Sequence, residues 1–203
     1  MPFDPGLKRE ASQKLEQYEG RVNHLYLDSK GKVTVGVGCL IANRAAMSLL
    51  TMYKAGPNGV QQTATLQDKQ FEYDYIAKLA KGQYAVWYKP YAKLTMKNCD
   101  IDALRDRKLN SFYLELTNIY AKSRGCFESF DHFPRQVKMA LLDMIFNLGA
   151  TRLLHIFVKM NASVRVGDWE RAAQQCHRAS IGAERNQYVR RLFLSAANEE
   201  NPA

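Results

Sequence analysis

The chain has 203 residues, 46% of them hydrophobic. That suffices for one sizeable core, or a core with a smaller lobe, and excludes a disordered chain. The formal charge is +9 and the basic residues are spread along the whole length, so the surface suits a polyanion (nucleic acid, anionic lipid or bacterial cell wall) without choosing among them.

Taken in order, the polar start "MPFDPGLKREASQKLEQ" lacks the apolar core of a secretory signal. No apolar run approaches the roughly 20 residues needed to span a bilayer. The expectation is synthesis in the cytoplasm without a signal peptide, and no stable membrane insertion. Asp4-Pro5 opens a helix, with Asp as N-cap and Pro at the first helical position. Leu7, Ala11, Leu15 and Tyr18 recur near helical spacing, and Gly20 stops the helix just after Glu19. Residues 22–38 read as a hairpin that turns at "DSKG", 28–31.

The remainder reads as helical. A short helix is expected over 43–54, then a loop of turn residues, "AGPNGVQQTAT". Thr65 and Asp68 form a capping-box pair for a helix over 66–81. The aromatic connector "QYAVWYKPYAK", 83–93, precedes a long helix over 100–122. "FPRQVKMALLDMIFNLGA" is a buried helix from Pro134 to Asn147 or Leu148. Two or three helices follow, one capped by Asp168 and a last one near 184–197. The fold class is α+β, mostly helical, with a small N-terminal antiparallel hairpin or sheet.

Chemistry concentrates in "YEGRVNHLYLDSKGKVTVGVGC", 18–39. Glu19 ends a helix, Asp28 enters the turn, and Thr34 lies on the return strand. Alternation would put Thr34, Gly36 and Gly38 on one face and Val33, Val35 and Val37 on the other. The valine face can pack on a core, and the glycine face would let a large ligand approach the backbone, as a cleft wall. Two carboxylates beside a cleft suit glycoside hydrolysis: one is a protonated acid, the other stays ionised and works on the opposite face of the sugar. On the residues alone, Glu, Asp and Thr can equally be solvated surface groups of an ordinary helix–hairpin unit.

This block resembles the active-site signature of phage-type lysozymes: Glu-Gly, Tyr-x-Asp, Gly, then Thr-Ile/Val-Gly-x-Gly. The spacings match, nine positions from Glu19 to Asp28 and six from Asp28 to Thr34. "ALLDMIFNLG" (140–149) is similar to the family's central buried helix. Phe157, the stretch 167–173, and Glu184-Arg185-Asn186 with Val189 and Phe193 resemble later segments of the family, in the right order. The resemblance covers roughly residues 5–40 and 134–196. It implies one lysozyme-like domain over 1–203, with the sheet lining a cleft and with 41–133 an elaborated or inserted middle segment. It implies a muramidase that inverts the anomeric centre, cleaving the β-1,4 bond between N-acetylmuramic acid and N-acetylglucosamine. Glu19 would be the general acid, Asp28 would orient or activate the water, and Thr34 would help to hold it. Arg185 would pair with Glu19, and Leu40 and Phe146 would line the substrate cleft. Where the family usually carries His after the last Gly, this chain has Cys39, which reads as a packing residue.

The alternatives are a non-catalytic lysozyme-like module that binds cell wall, and a lytic transglycosylase, which can work with one carboxylate. Nucleic-acid binding would want a clustered Lys/Arg stripe with a reading element, and none is present. The four cysteines and four histidines have no metal-ligand spacing, so no metal and no cofactor is expected. The expected partner is peptidoglycan, reached in the periplasm through a pore during phage lysis or by an injection machine used against rival bacteria. A toxin of that kind would have a cognate inhibitor (immunity) protein. Tyr84, Trp87, Tyr88 and Tyr91 read as a packed lid in preference to a sugar-stacking surface. Phe127, Phe130 and Phe133 read as loop anchors. Asp143 and Asn147 either line the cleft floor or are satisfied buried groups.

Overall fold

The computed structural model describes residues 3–57 and 60–200. They form a mostly helical α+β protein with two small antiparallel sheets. Leu15–Lys108 is one compact unit, and the described residues on either side of it in sequence form another.

The first unit begins with the end of helix α1 (Pro5–Glu19), which Gly20 terminates at φ 71°. Strands β1 (Val22–Leu27), β2 (Val33–Gly36) and β3 (Cys39–Leu40) follow in spatial order β1-β2-β3. Tyr26 pairs with Thr34, Leu27 with Val33, and Thr34 with Leu40. The expected strand through 38 stops earlier: Gly36 and Gly38 have φ of 69° and 58°, so the chain turns there and returns as β3. Val33, Val35 and Val37 are buried as expected, but Thr34 and Gly36 between them are buried as well, so β2 is covered on both faces and the expected bare face is absent along it.

Beyond β3 the structure departs from the sequence reading. The helix expected over 43–54 exists only as α2 (Arg44–Ser48), capped by Asn43, whose Oδ1 accepts from Ala46 N at 2.9 Å. The chain then extends as β4 (Tyr53–Ala55), which pairs with β5 (Gln61–Thr63) on one side and β6 (Leu94–Thr95) on the other. The expected loop is thus largely a second hairpin; Asn58 and Gly59 lie outside the described residues. Helix α3 (Leu66–Ala77) carries the predicted capping box between Thr65 and Asp68 but ends before Gly82. The aromatic connector contains a short helix, α4 (Ala85–Tyr88). Helix α5 (Asn98–Ile119) replaces the predicted 100–122. The start of α5 closes one face of the first sheet, with Ile101 and Leu104 against Gly36.

In the other unit, Asp4 Oδ1 accepts from Leu7 N at 2.6 Å, so α1 is capped as predicted. Helix α6 (Arg135–Leu148) is buried along most of its length and packs on α10 (Ala183–Glu200). Three helices lie between them in sequence, α7 (Ala150–Ile156), α8 (Val158–Arg165) and α9 (Trp169–Gln175), so four helices follow α6 where two or three were expected. Asp168 caps α9 by accepting from Arg171 N at 2.9 Å. Phe127, Phe130 and Phe133 do anchor a loop: the Phe133 ring meets those of Phe127 and Phe130, and Phe127 and Phe133 also contact Trp169.

All four cysteines are free; Cys99 alone is exposed. Among the described residues no single helix is long and apolar enough to cross a membrane.

Candidate active site

Glu19, Asp28, Thr34 and Leu40 all belong to the unit Leu15–Lys108, whereas Phe146 and Arg185 belong to the other.

Glu19 is the last residue of α1 and is half-buried. A Cβ placed on Gly38 would meet its Oε2 at 2.9 Å and its Cδ at 3.2 Å, so the carboxylate lies directly on the backbone of the β2–β3 turn. The two glycines of the motif therefore serve close packing within the protein. Gly36 admits Ile101, whose Cγ2 would lie 3.4 Å from an added Cβ, and Gly38 admits Glu19. The expectation of a bare glycine face open to a ligand is corrected on this point: at Gly36 that face is covered by α5.

Asp28 is held by its own turn. Its Oδ1 accepts from Lys30 N and Lys32 N, both at 2.8 Å, while its backbone N–H donates to Lys32 O at 2.9 Å. Oδ2 carries no hydrogen bond among the described residues, leaving one oxygen available for chemistry. Thr34 is 2% exposed, and its hydroxyl donates to the same Lys32 carbonyl at 3.0 Å. One carbonyl thus fastens both Asp28 and Thr34.

Tyr26 lies opposite Thr34 in the register and feels the charge of both carboxylates. Burial, followed by the charge of Glu19 and then by smaller effects of Cys39 and Asp28, pushes its phenol above the ordinary value, so it stays protonated. Tyr26 stood in the quoted motif without a role; its place two residues before Asp28 on a strand is the signal that marks it. The thiol of Cys39, 3% exposed, is pushed up to about 11 by burial, which fits a packing role and not a nucleophile.

A charged cluster fixes the end of α1. Arg21 Nε lies 2.7 Å from Glu16 Oε1, and its Nη2 lies 2.6 Å from Asp102 Oδ1; Arg105 Nη1 lies 3.1 Å from Glu16 Oε2 and from Asp102 Oδ1. Hydrogen bonds from Arg21 hold both Glu16 and Asp102 below their ordinary values. The cluster ties the last turn of α1, which carries Glu19, to the first turns of α5. Sequence reasoning missed it because Asp102 and Arg105 are remote in sequence from Glu16.

Leu40 is 48% exposed and borders a pocket of about 270 Å³ with Ile41, Leu49, Leu104, Arg107 and Lys108. Phe146 is half-buried and meets Phe112 edge to face, with ring centroids 5.8 Å apart. Arg185 is buried and directs Nε to Asp143 Oδ2 at 2.9 Å. Arg178, also buried, brings Nη1 to 2.8 Å from Asp143 Oδ1, although none of its guanidinium N–H groups is aligned for a hydrogen bond. Asp143 is thus a buried ion-pair centre between two arginines, the second of the two roles open to it from the sequence. Of the aromatic connector, Tyr88 is fully buried, donating to Ala80 O at 2.6 Å; Tyr84 is exposed.

No group of His, Cys, Asp and Glu among the described residues is placed to hold a metal ion. No protein-family model matches the chain, and comparison with curated proteins finds no match.

Proposed function

We propose that the protein is a lysozyme-like muramidase that hydrolyses the β-1,4 bond between N-acetylmuramic acid and N-acetylglucosamine in peptidoglycan. The observation that carries this reading is the pair of carboxylates in different settings within one unit. Glu19 is half-buried against the Gly38 backbone, and Asp28 is held in a turn with Oδ2 unengaged. The reaction needs one carboxyl beside the leaving-group oxygen and a second with an oxygen open to water, and these two settings match those two requirements.

The division of labour follows. Glu19 would protonate the leaving-group oxygen. Asp28 would take a proton from the attacking water through Oδ2. The Thr34 proton is committed to Lys32 O, so its hydroxyl can only accept from that water. A water whose two hydrogens go to Asp28 and Thr34 presents its lone pair to the anomeric carbon, which suits an inverting reaction. The proposed partner is peptidoglycan, reached by delivery through a pore or a secretion machine, with a cognate inhibitor protein in the second case.

A second reading, lytic transglycosylase, draws on the burial of Thr34 at 2% exposure, which restricts the room for a held water. One assay separates the readings. The purified protein is incubated with permeabilised Gram-negative cells and the released muropeptides are weighed by mass spectrometry. Reducing muramic-acid ends support hydrolysis, anhydro-muropeptides alone support the transglycosylase, and no cleavage sinks both. A positioned general acid contributes about 10²–10⁴-fold, so Glu19→Gln should lose activity by at least that much while remaining folded.

A further inference from the structure

We infer that a second groove, formed by α3 and the segment 90–94, is a saccharide-binding site separate from Glu19 and Asp28. If the proposed function holds, its ligand is a glycan strand bearing N-acetyl groups. The groove encloses about 830 Å³, within the range of small-ligand sites.

Its main surface is aromatic. Phe71 and Tyr75 stand one turn apart on α3, with rings parallel to within 4° and centroids 6.4 Å apart. They are 67% and 42% exposed, so a large apolar surface faces water without an intramolecular cover. Tyr91 joins them in the lining, its ring supported by Trp87 at 4.8 Å. Flat exposed ring faces suit three kinds of flat partner: a nucleobase, another aromatic, or the C–H face of a pyranose.

Charge selects among these. Lys54 is held by Asp68 at 2.6 Å, and the same lining carries one further cation, Lys93, and one further acid, the buried Glu72. With Lys54 engaged by Asp68, Lys93 is at most one uncompensated cation, a weak field for a phosphate, which disfavours a nucleotide. Gln67, Asp68 and Lys93 instead offer donors and acceptors to hydroxyl and acetamide groups. The walls are also joined: the buried Glu72 carboxylate on α3 accepts from Lys93 N at 2.7 Å and from Leu94 N at 2.8 Å. A groove whose sides are tied by a buried side chain is held open in one shape, which limits the ordering lost on binding.

The test uses the full-length Glu19→Gln protein, so that turnover does not interfere, and a soluble tetramer of N-acetylglucosamine as the probe. Titration should shift the backbone amide resonances of α3. Replacing Phe71 and Tyr75 together by Ala should weaken binding at those resonances about tenfold, given the value of one aromatic contact. Both positions are exposed on a helix and Ala is a good helix former, so the melting temperature should change little. Absence of α3 shifts, unchanged affinity in the double variant, or tighter binding of adenosine monophosphate than of the sugar would each overturn the assignment. The two ideas fail separately. Loss of sugar binding in the double variant together with a wild-type protein that cuts no cell wall would sink the muramidase reading and keep the groove. Full cell-wall cleavage with no binding at α3 would do the reverse.

Discussion

The contact between Glu19 and Gly38 can be tested by adding a single methyl group. Gly38 has φ of 58°, where an L-residue is strained by about 1–2 kcal/mol. At about 2–4 °C per kcal/mol for a chain of this size, Gly38→Ala should lower the melting temperature by roughly 2–8 °C. The new Cβ would also lie 2.9 Å from Glu19 Oε2. Ordinary contact requires the carboxylate to retreat by about 0.5 Å or more. Since a misplacement of about 1 Å can cost about 10²-fold in rate, roughly a tenfold loss is expected. Gly82→Ala is the control: its φ is 78°, but an added Cβ meets nothing within 4 Å. It should show a similar drop in melting temperature with no loss in the clearing rate of permeabilised cells. A Gly38→Ala protein that loses stability like the control yet clears cells at the wild-type rate would refute the idea that this glycine positions the acid.

Two further outcomes concern buried charge. Burial raises Glu72 from the ordinary 4.5 to about 7, against the hydrogen bonds from Lys93 and Leu94. The folded protein therefore binds the proton more tightly than the unfolded chain, so this contribution is full below 4.5 and is lost as pH rises through about 7. It amounts to about 3 kcal/mol. Unfolding curves between pH 4.5 and 8 should show that decline, and Glu72→Gln should flatten it; equal slopes in both proteins would show that Glu72 is not the titrating group. Asp143→Ala leaves the buried Arg178 cation without its counter-charge and should destabilise by about 3–5 kcal/mol by urea titration. Adding Arg178→Met should recover part of that loss, and a double variant no better than the single one would contradict the ion-pair account.

What could be read from the sequence depended on how far a signal had to reach. Asp4-Pro5, Thr65 with Asp68, and Asp168 each act within one helical turn, and all three cap as predicted. The first hairpin was legible because valines recur at alternate positions 33, 35 and 37 after the turn residues 28–31. The second sheet was not. Gln61–Thr63 is exposed on both faces and Leu94–Thr95 is two residues long, so their pairing with β4 is a backbone matter without a hydrophobic period. The glycines were read as open because their covers come from elsewhere in the chain: Ile101 for Gly36, and the Glu19 side chain for Gly38. Glu72 stands in "QFEYDY" like any surface acid, and only the return of the chain at 93–94 makes it a buried acceptor.

The turn around Asp28 also has a consequence for mutational tolerance. One carboxylate oxygen closes the loop through two backbone N–H groups, and the other is left for a reacting water. In a saturation library sorted for folding, position 28 should tolerate Asn, whose carbonyl can take both N–H donors, and should reject apolar replacements as strongly as a turn residue does. Sorted for cell-wall cleavage, the same library should reject Asn as well. Asparagine at position 28 is therefore the substitution that divides the two duties of this side chain, and a library that keeps Asn in both sorts would leave Asp28 with only the loop to hold.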